Sequence, residues 1–108
     1  MNKRLTFQGL GAWLKRLQPD SIVGYSKNGV NCVLAQYMRR VLKSGPMFVW
    51  RSERYRKDTR RTTKNTPQLA YFVGALDQLH PVFNAPISAK DALAVWNEAN
   101  AQKNLRQS

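Results

Sequence analysis

Acidic residues are scarce in this chain. Six Asp and Glu stand against 18 Lys and Arg in 108 residues, a formal charge of +12. The six are scattered, at Asp20, Glu53, Asp58, Asp77, Asp91 and Glu98. Scattered carboxylates supply neither the pair needed for general acid–base catalysis nor the oxygen cluster that holds a hard cation. Glu53 and Asp58 also sit among Arg residues, which keep them ionised and paired. There is one cysteine, Cys32, which excludes an internal disulfide and a four-cysteine zinc site. The single histidine, His80, stands three residues after Asp77, and two such groups are too few ligands for a metal. The glycines are isolated, so no phosphate-cradling P-loop is present. No apolar run is long enough to span a bilayer. The opening Met-Asn-Lys-Arg has the charge of a secretory leader, but LTFQGLGAWLKRL behind it is interrupted by Gln8, Gly9, Gly11 and Lys15. These absences lead us to expect a cytoplasmic protein that is not an enzyme, with no cofactor, no metal, no membrane partner and no evident small-molecule substrate.

What is present suffices for a modest core. Apolar residues make up 43% of the chain, with three Trp, four Phe and four Tyr, enough for one folded domain. Phe7, Leu10, Leu14 and Leu17 recur at helical spacing after a capping Thr6, and Pro19-Asp20 ends that run. Ser21–Tyr25 is short and β-branched and predicts a strand, followed by a Lys-Asn-Gly turn at 27–29. Leu34, Tyr37, Met38 and Val41 share one face of a second helix, with Asn31 as its N-cap and Gly45-Pro46 as its stop. Residues 47–57 begin as a strand, and the strand–helix–strand order permits a parallel crossover. A third strand comes either from 59–63, as a hairpin arm, or from Val82-Phe83. Thr66-Pro67 opens a strongly apolar helix over 67–79, read as the centre of the fold. In that helix Ala70 and Gly74, four residues apart, leave room for a close neighbour. Ser88 with Asp91 resembles a capping box ahead of a last helix anchored by Leu93 and Trp96. Residues 100–108 read as a frayed tail. The fold class is α+β: one small basic domain, about four helices around a two- to three-stranded sheet.

The positive charge is unevenly spread. Residues 1–64 carry 15 Lys and Arg against three acids, whereas residues 65–108 carry three against three. Like charges crowded together oppose compaction, so a local excess answers an anionic partner. The excess peaks at Arg39, Arg40, Lys43, Arg51, Arg54, Arg56, Lys57, Arg60, Arg61 and Lys64, with Trp50 and Tyr55 interleaved. Seven of these ten cations are Arg, whose planar fork matches phosphate oxygens and stacks on bases. Residues 51–66 then form a basic ribbon or loop. As one continuous strand, 48–56 puts Phe48, Trp50, Ser52, Arg54 and Arg56 on one face, and Arg51, Tyr55 and Lys57 on the other. Trp50 reads as a core residue at the buried end of that strand, with base stacking the alternative. The implied role is binding of DNA or RNA through phosphate contacts by the ten cations and Tyr55. The alternative is a protein-interaction module, an adaptor, inhibitor or assembly subunit, that turns the same face to an acidic protein or ribonucleoprotein surface.

Cys32 raises a different possibility. It follows a Gly-containing turn at the start of a helix, where the dipole and free N–H groups lower a thiol pKa. The string GVNCVLAQYMRRVLKSG, residues 29–45, resembles the nucleophile region of papain-like cell-wall peptidases. The resemblance implies a nucleophilic Cys32 and a histidine partner on a later strand of a larger antiparallel sheet. Here the only histidine, His80, reads as a helix end before Pro81, and the family's usual Cys-Ser pair is Cys32-Val33.

Overall fold

Helices and strands alternate along residues 4–102, the part of the chain that the computed structural model describes. Residues 1–3 of the leader-like opening and 103–108 of the expected frayed tail lie outside that range. Helix α1 spans Phe7–Arg16, and the Thr6 side chain accepts a hydrogen bond from the Gly9 N–H. Strand β1 is Ile22–Tyr25 and helix α2 is Val33–Arg40. Three short strands follow: β2 (Met47–Val49), β3 (Glu53–Arg56) and β4 (Arg61–Lys64). Helix α3 is Pro67–Leu79, with Thr66 capping the Leu69 N–H and Pro67 in the first turn. Strand β5, Pro86–Ser88, leads directly into helix α4, Ala89–Ala101, which Ser88 caps by accepting from the Asp91 N–H. The fold is therefore α+β, with four helices and two small antiparallel sheets among the described residues.

The sheets divide the work. In the first, β1 pairs with β5, with an irregular register between Ile22 and Gly24. In the second, β2, β3 and β4 form an antiparallel meander. The parallel crossover that the strand–helix–strand order permits is not used. Strands β1 and β2 belong to different sheets, and α2 packs against both. The third strand of the meander is the hairpin arm, at 61–64, while Val82 and Phe83 lie in an exposed connection.

Helix α4, not α3, holds the middle. It packs against α1, α3, β1 and β5. Phe7 stacks on Trp96 at 4.8 Å between ring centroids, and the Trp96 indole N–H donates to the Phe7 carbonyl over 2.8 Å. Gly11 lets the helices meet there. A Cβ on it would fall 2.3 Å from the Trp96 ring. Helix α3 buries Leu69, Phe72, Val73 and Leu76 in one stripe and leaves Leu79 exposed, so its apolar residues exceed its buried face.

Helix α2 begins one residue later than the sequence suggests. Cys32 is its N-cap and makes no side-chain cap bond. Asn31 instead accepts from the Tyr25 N–H through its carbonyl and from Arg39 through its side chain, which removes it from the capping role. The helix also stops early. The Leu42 and Ser44 N–H groups bond back to Tyr37 and Met38, with Lys43 in the left-handed region at φ 58°.

Candidate nucleic-acid interface

The basic segment folds as the outer two-thirds of the β2–β3–β4 meander. Its register decides which side chains share a face. Strand 47–57 is not continuous. It folds back on itself at Arg51-Ser52, with the Trp50 N–H donating to the Glu53 carbonyl over 2.8 Å. Residues directly opposite in an antiparallel pair point to the same side. Phe48 lies opposite Tyr55, and Tyr55 opposite Thr62. Val49 lies opposite Arg54, and Arg54 opposite Thr63, while Met47, Arg56 and Arg61 form a third row and Glu53 and Lys64 a fourth.

This corrects the face assignment made for one long strand. Arg54 and Arg56 do not accompany Phe48 and Trp50. They share the inward face with the buried Met47 and Val49, because the two-residue reversal shifts the alternation. Both are half-buried. Arg54 donates to the Asn65 carboxamide oxygen over 2.8 Å, and burial pulls its guanidinium down from the ordinary value. Arg56 donates to Asp58 over 3.1 Å, a contact that holds the Asp58 carboxyl below the usual carboxylate range. Its Nε is buried without a hydrogen-bond partner among the described residues.

The opposite face is aromatic. Phe48 is 40% exposed and Trp50 50% exposed, and their rings stack at 5.9 Å with planes 16° apart. Tyr55, half-buried, stands beside Phe48 across the ladder. Trp50 is thus not a core residue. The strand reverses immediately after it, so its ring stays on the solvent side of the sheet. Trp13 and Trp96 fill the interior instead.

Cations frame this face. Lys64 lies on the outer strand opposite Glu53. Lys57 and Arg60 belong to the four-residue turn joining β3 to β4, where Arg60 is left-handed at φ 55° and Asp58 accepts from the Thr59 N–H. Arg61 opens β4. Arg51 sits at the opposite end, its side chain laid across Gly74 of α3, where a Cβ would fall 2.9 Å from the Arg51 Nε. All five are exposed, and none is in a salt bridge among the described residues. The α2 cations are placed differently. Arg39 is turned back onto the Val30 carbonyl at 2.8 Å and the Asn31 side chain at 3.2 Å, Arg40 donates to Gln36 over 3.3 Å, and Lys43 is exposed.

Four residues matter here that sequence reasoning left aside. Asn65 is buried at the end of β4. Its amide donates to the Trp50 carbonyl at 2.9 Å and the Arg51 carbonyl at 3.2 Å, and its oxygen accepts from Arg54. It therefore fixes the reversal that presents Trp50. Phe48 supplies the second ring. Lys27 and Asp77 line a cleft of about 320 Å³ beside Trp50, together with Cys32, Val49, Arg51 and Val73. Only Phe48 had a sequence signal, as the exposed member of an alternating Met-Phe-Val run.

Cys32 lies in that cleft, and burial pushes its thiol up to about 11, with the Asp77 charge acting in the same direction. The N–H groups at the start of α2 lower it by less. His80 caps the end of α3, with its Nε2 3.6 Å from an Asp91 oxygen, beyond hydrogen-bond reach. No hydrogen bond joins Cys32 to His80 among the described residues. No cluster of metal-ligating side chains occurs among them, and no helix is long and apolar enough to cross a membrane.

Comparison with protein-family profiles, with curated proteins and with solved structures finds no match.

Proposed function

We propose that this chain binds single-stranded nucleic acid on the outer face of the β2–β3–β4 meander. The observation that carries the reading is a solvent-facing aromatic group on a sheet, Phe48, Trp50 and Tyr55, framed by unpaired cations. Exposed aromatic rings cost hydrophobic free energy. Beside Arg and Lys they form a surface on which bases stack while phosphates meet the charges. Stacking is worth about 1–3 kcal/mol per base, and it requires bases free of a duplex. Lys57, Arg60 and Lys64 supply phosphate contacts, with Arg51 at the far end. Arg54 and Arg56 act from behind, holding the ribbon in place.

Fluorescence anisotropy with a labelled thymidine 12-mer tests the reading. With about four phosphate contacts, affinity falls on the order of 50-fold between roughly 50 and 200 mM salt. Trp50→Ala weakens the strand about 5- to 150-fold, the span that one stacked base represents. A matching duplex binds more weakly than the single strand. A salt-insensitive complex with one protein, and no retention of any oligonucleotide, would instead favour the adaptor role.

A further inference from the structure

The cleft beside Trp50 is lined by a combination that phosphate binding does not require. Phe48, Trp50, Val49 and Val73 line it with aromatic and apolar surface, and Lys27, Asn28, Cys32 and Arg51 also belong to its lining. The carboxylate in its lining is Asp77. At about 320 Å³ the cleft sits at the small end of ligand sites, the scale of one planar group. Asp77 is held in place. Its Oδ1 accepts from the Lys27 backbone N–H at 3.0 Å, and Lys27 adopts the left-handed conformation, φ 56°, that aims this N–H at it. Asp77 forms no salt bridge with Lys27 or Arg51 among the described residues. Its Oδ2 has no hydrogen-bond partner among them either. An ionised carboxylate has about four acceptor sites, and one is used here.

A carboxylate beside aromatic rings, in an otherwise basic surface, selects by hydrogen-bond polarity. Adenine and cytosine offer it an amino donor next to a ring nitrogen acceptor, which it repels. Uracil and thymine offer one N–H between two carbonyls. Guanine alone presents two adjacent donors, N1–H and N2–H, on one edge. Unpaired bases are read on that edge in single strands. Resting on the single-strand reading above, we infer that this cleft accepts one unstacked guanine, with its ring against Trp50 and its Watson–Crick donors on Asp77.

The test compares a thymidine 12-mer with the same strand carrying one central guanine, at fixed low salt. The guanine strand binds about tenfold tighter, within the range of a two-point base contact. Replacing that guanine with 1-methylguanine removes the gain, and inosine, which lacks the amino group, retains part of it. In Asp77→Asn, whose side-chain oxygen still accepts from Lys27, the ratio between the two strands falls to about one. Equal binding of both strands by the unaltered protein, or a guanine preference that survives 1-methylation, overturns the inference and leaves the single-strand reading standing. Failure to bind any strand removes both.

Discussion

Asn65 shows how much can depend on one uncharged side chain. It is buried and satisfies two carbonyls of the Trp50–Ser52 reversal while anchoring Arg54. Asn65→Ala leaves those carbonyls and a half-buried guanidinium short of partners, and is expected to destabilise the fold by about 1–3 kcal/mol. Urea unfolding followed by Trp fluorescence measures this. An unchanged midpoint removes Asn65 from its structural role. Nothing in the sequence marks this residue, which stands between a basic strand and the Thr66-Pro67 helix start, because its importance comes from contacts 11 to 15 residues away. Cys32 makes the opposite point, since a residue with a clear local signal has a different environment. With the folded thiol at about 11 and an unfolded one near ~8.5, the native protein keeps it protonated at neutral pH. Iodoacetamide labelling of the native chain is therefore slow at pH 7 and accelerates only as pH rises toward that value, whereas labelling in denaturant accelerates through about 8.5. Stability contributed by the buried neutral thiol declines across the same interval, since the unfolded form loses its proton first. Rapid native labelling at pH 7 would restore the nucleophile reading.

At the level of elements, the helices were the more legible part. Apolar spacing and the Thr6, Thr66 and Ser88 caps locate α1, α3 and α4 from local physics alone. The strands were less so. A run such as MFVWRSERYRK has the composition of a strand throughout, and no Gly or Asn-Gly pair announces the reversal at Arg51-Ser52. Missing that reversal inverts the faces of everything after it, because side chains alternate with a period of two. That is why Arg54 and Arg56 read as sharing a face with Phe48 and Trp50. The register now separates two groups of cations. Changing Lys57, Arg60 and Lys64 together to Gln is expected to lower the slope of log affinity against log salt by about 2, at ~0.7 for each lost phosphate contact, without changing stability by more than about 0.5 kcal/mol. Changing Arg54 and Arg56 to Gln lowers the midpoint instead. The two slopes and two midpoints distinguish contact from support, and the reverse pattern would reassign the roles.

Across the whole molecule, charge and chain order are linked. The balanced segment after residue 64 supplies α3, β5 and α4, which bury the Trp96 core, while part of the imbalance lies on β3, β4 and their turn. The exposed cations Lys57, Arg60, Arg61 and Lys64 lie in that stretch, and the charge profile carries no sign of the aromatic face beside them. That face exists because the meander extends beyond the core. β2 is half-buried, and β4 is exposed along its full length.

Strand β4 is also an edge. Among the described residues it pairs only with β3, so one row of its backbone amides and carbonyls is left open to any other strand of suitable shape. Arg61 and Lys64 on that border repel an identical copy approaching in register, which is how natural sheets avoid zipping together. Lys64, a proposed phosphate contact, thus also guards this edge against self-association.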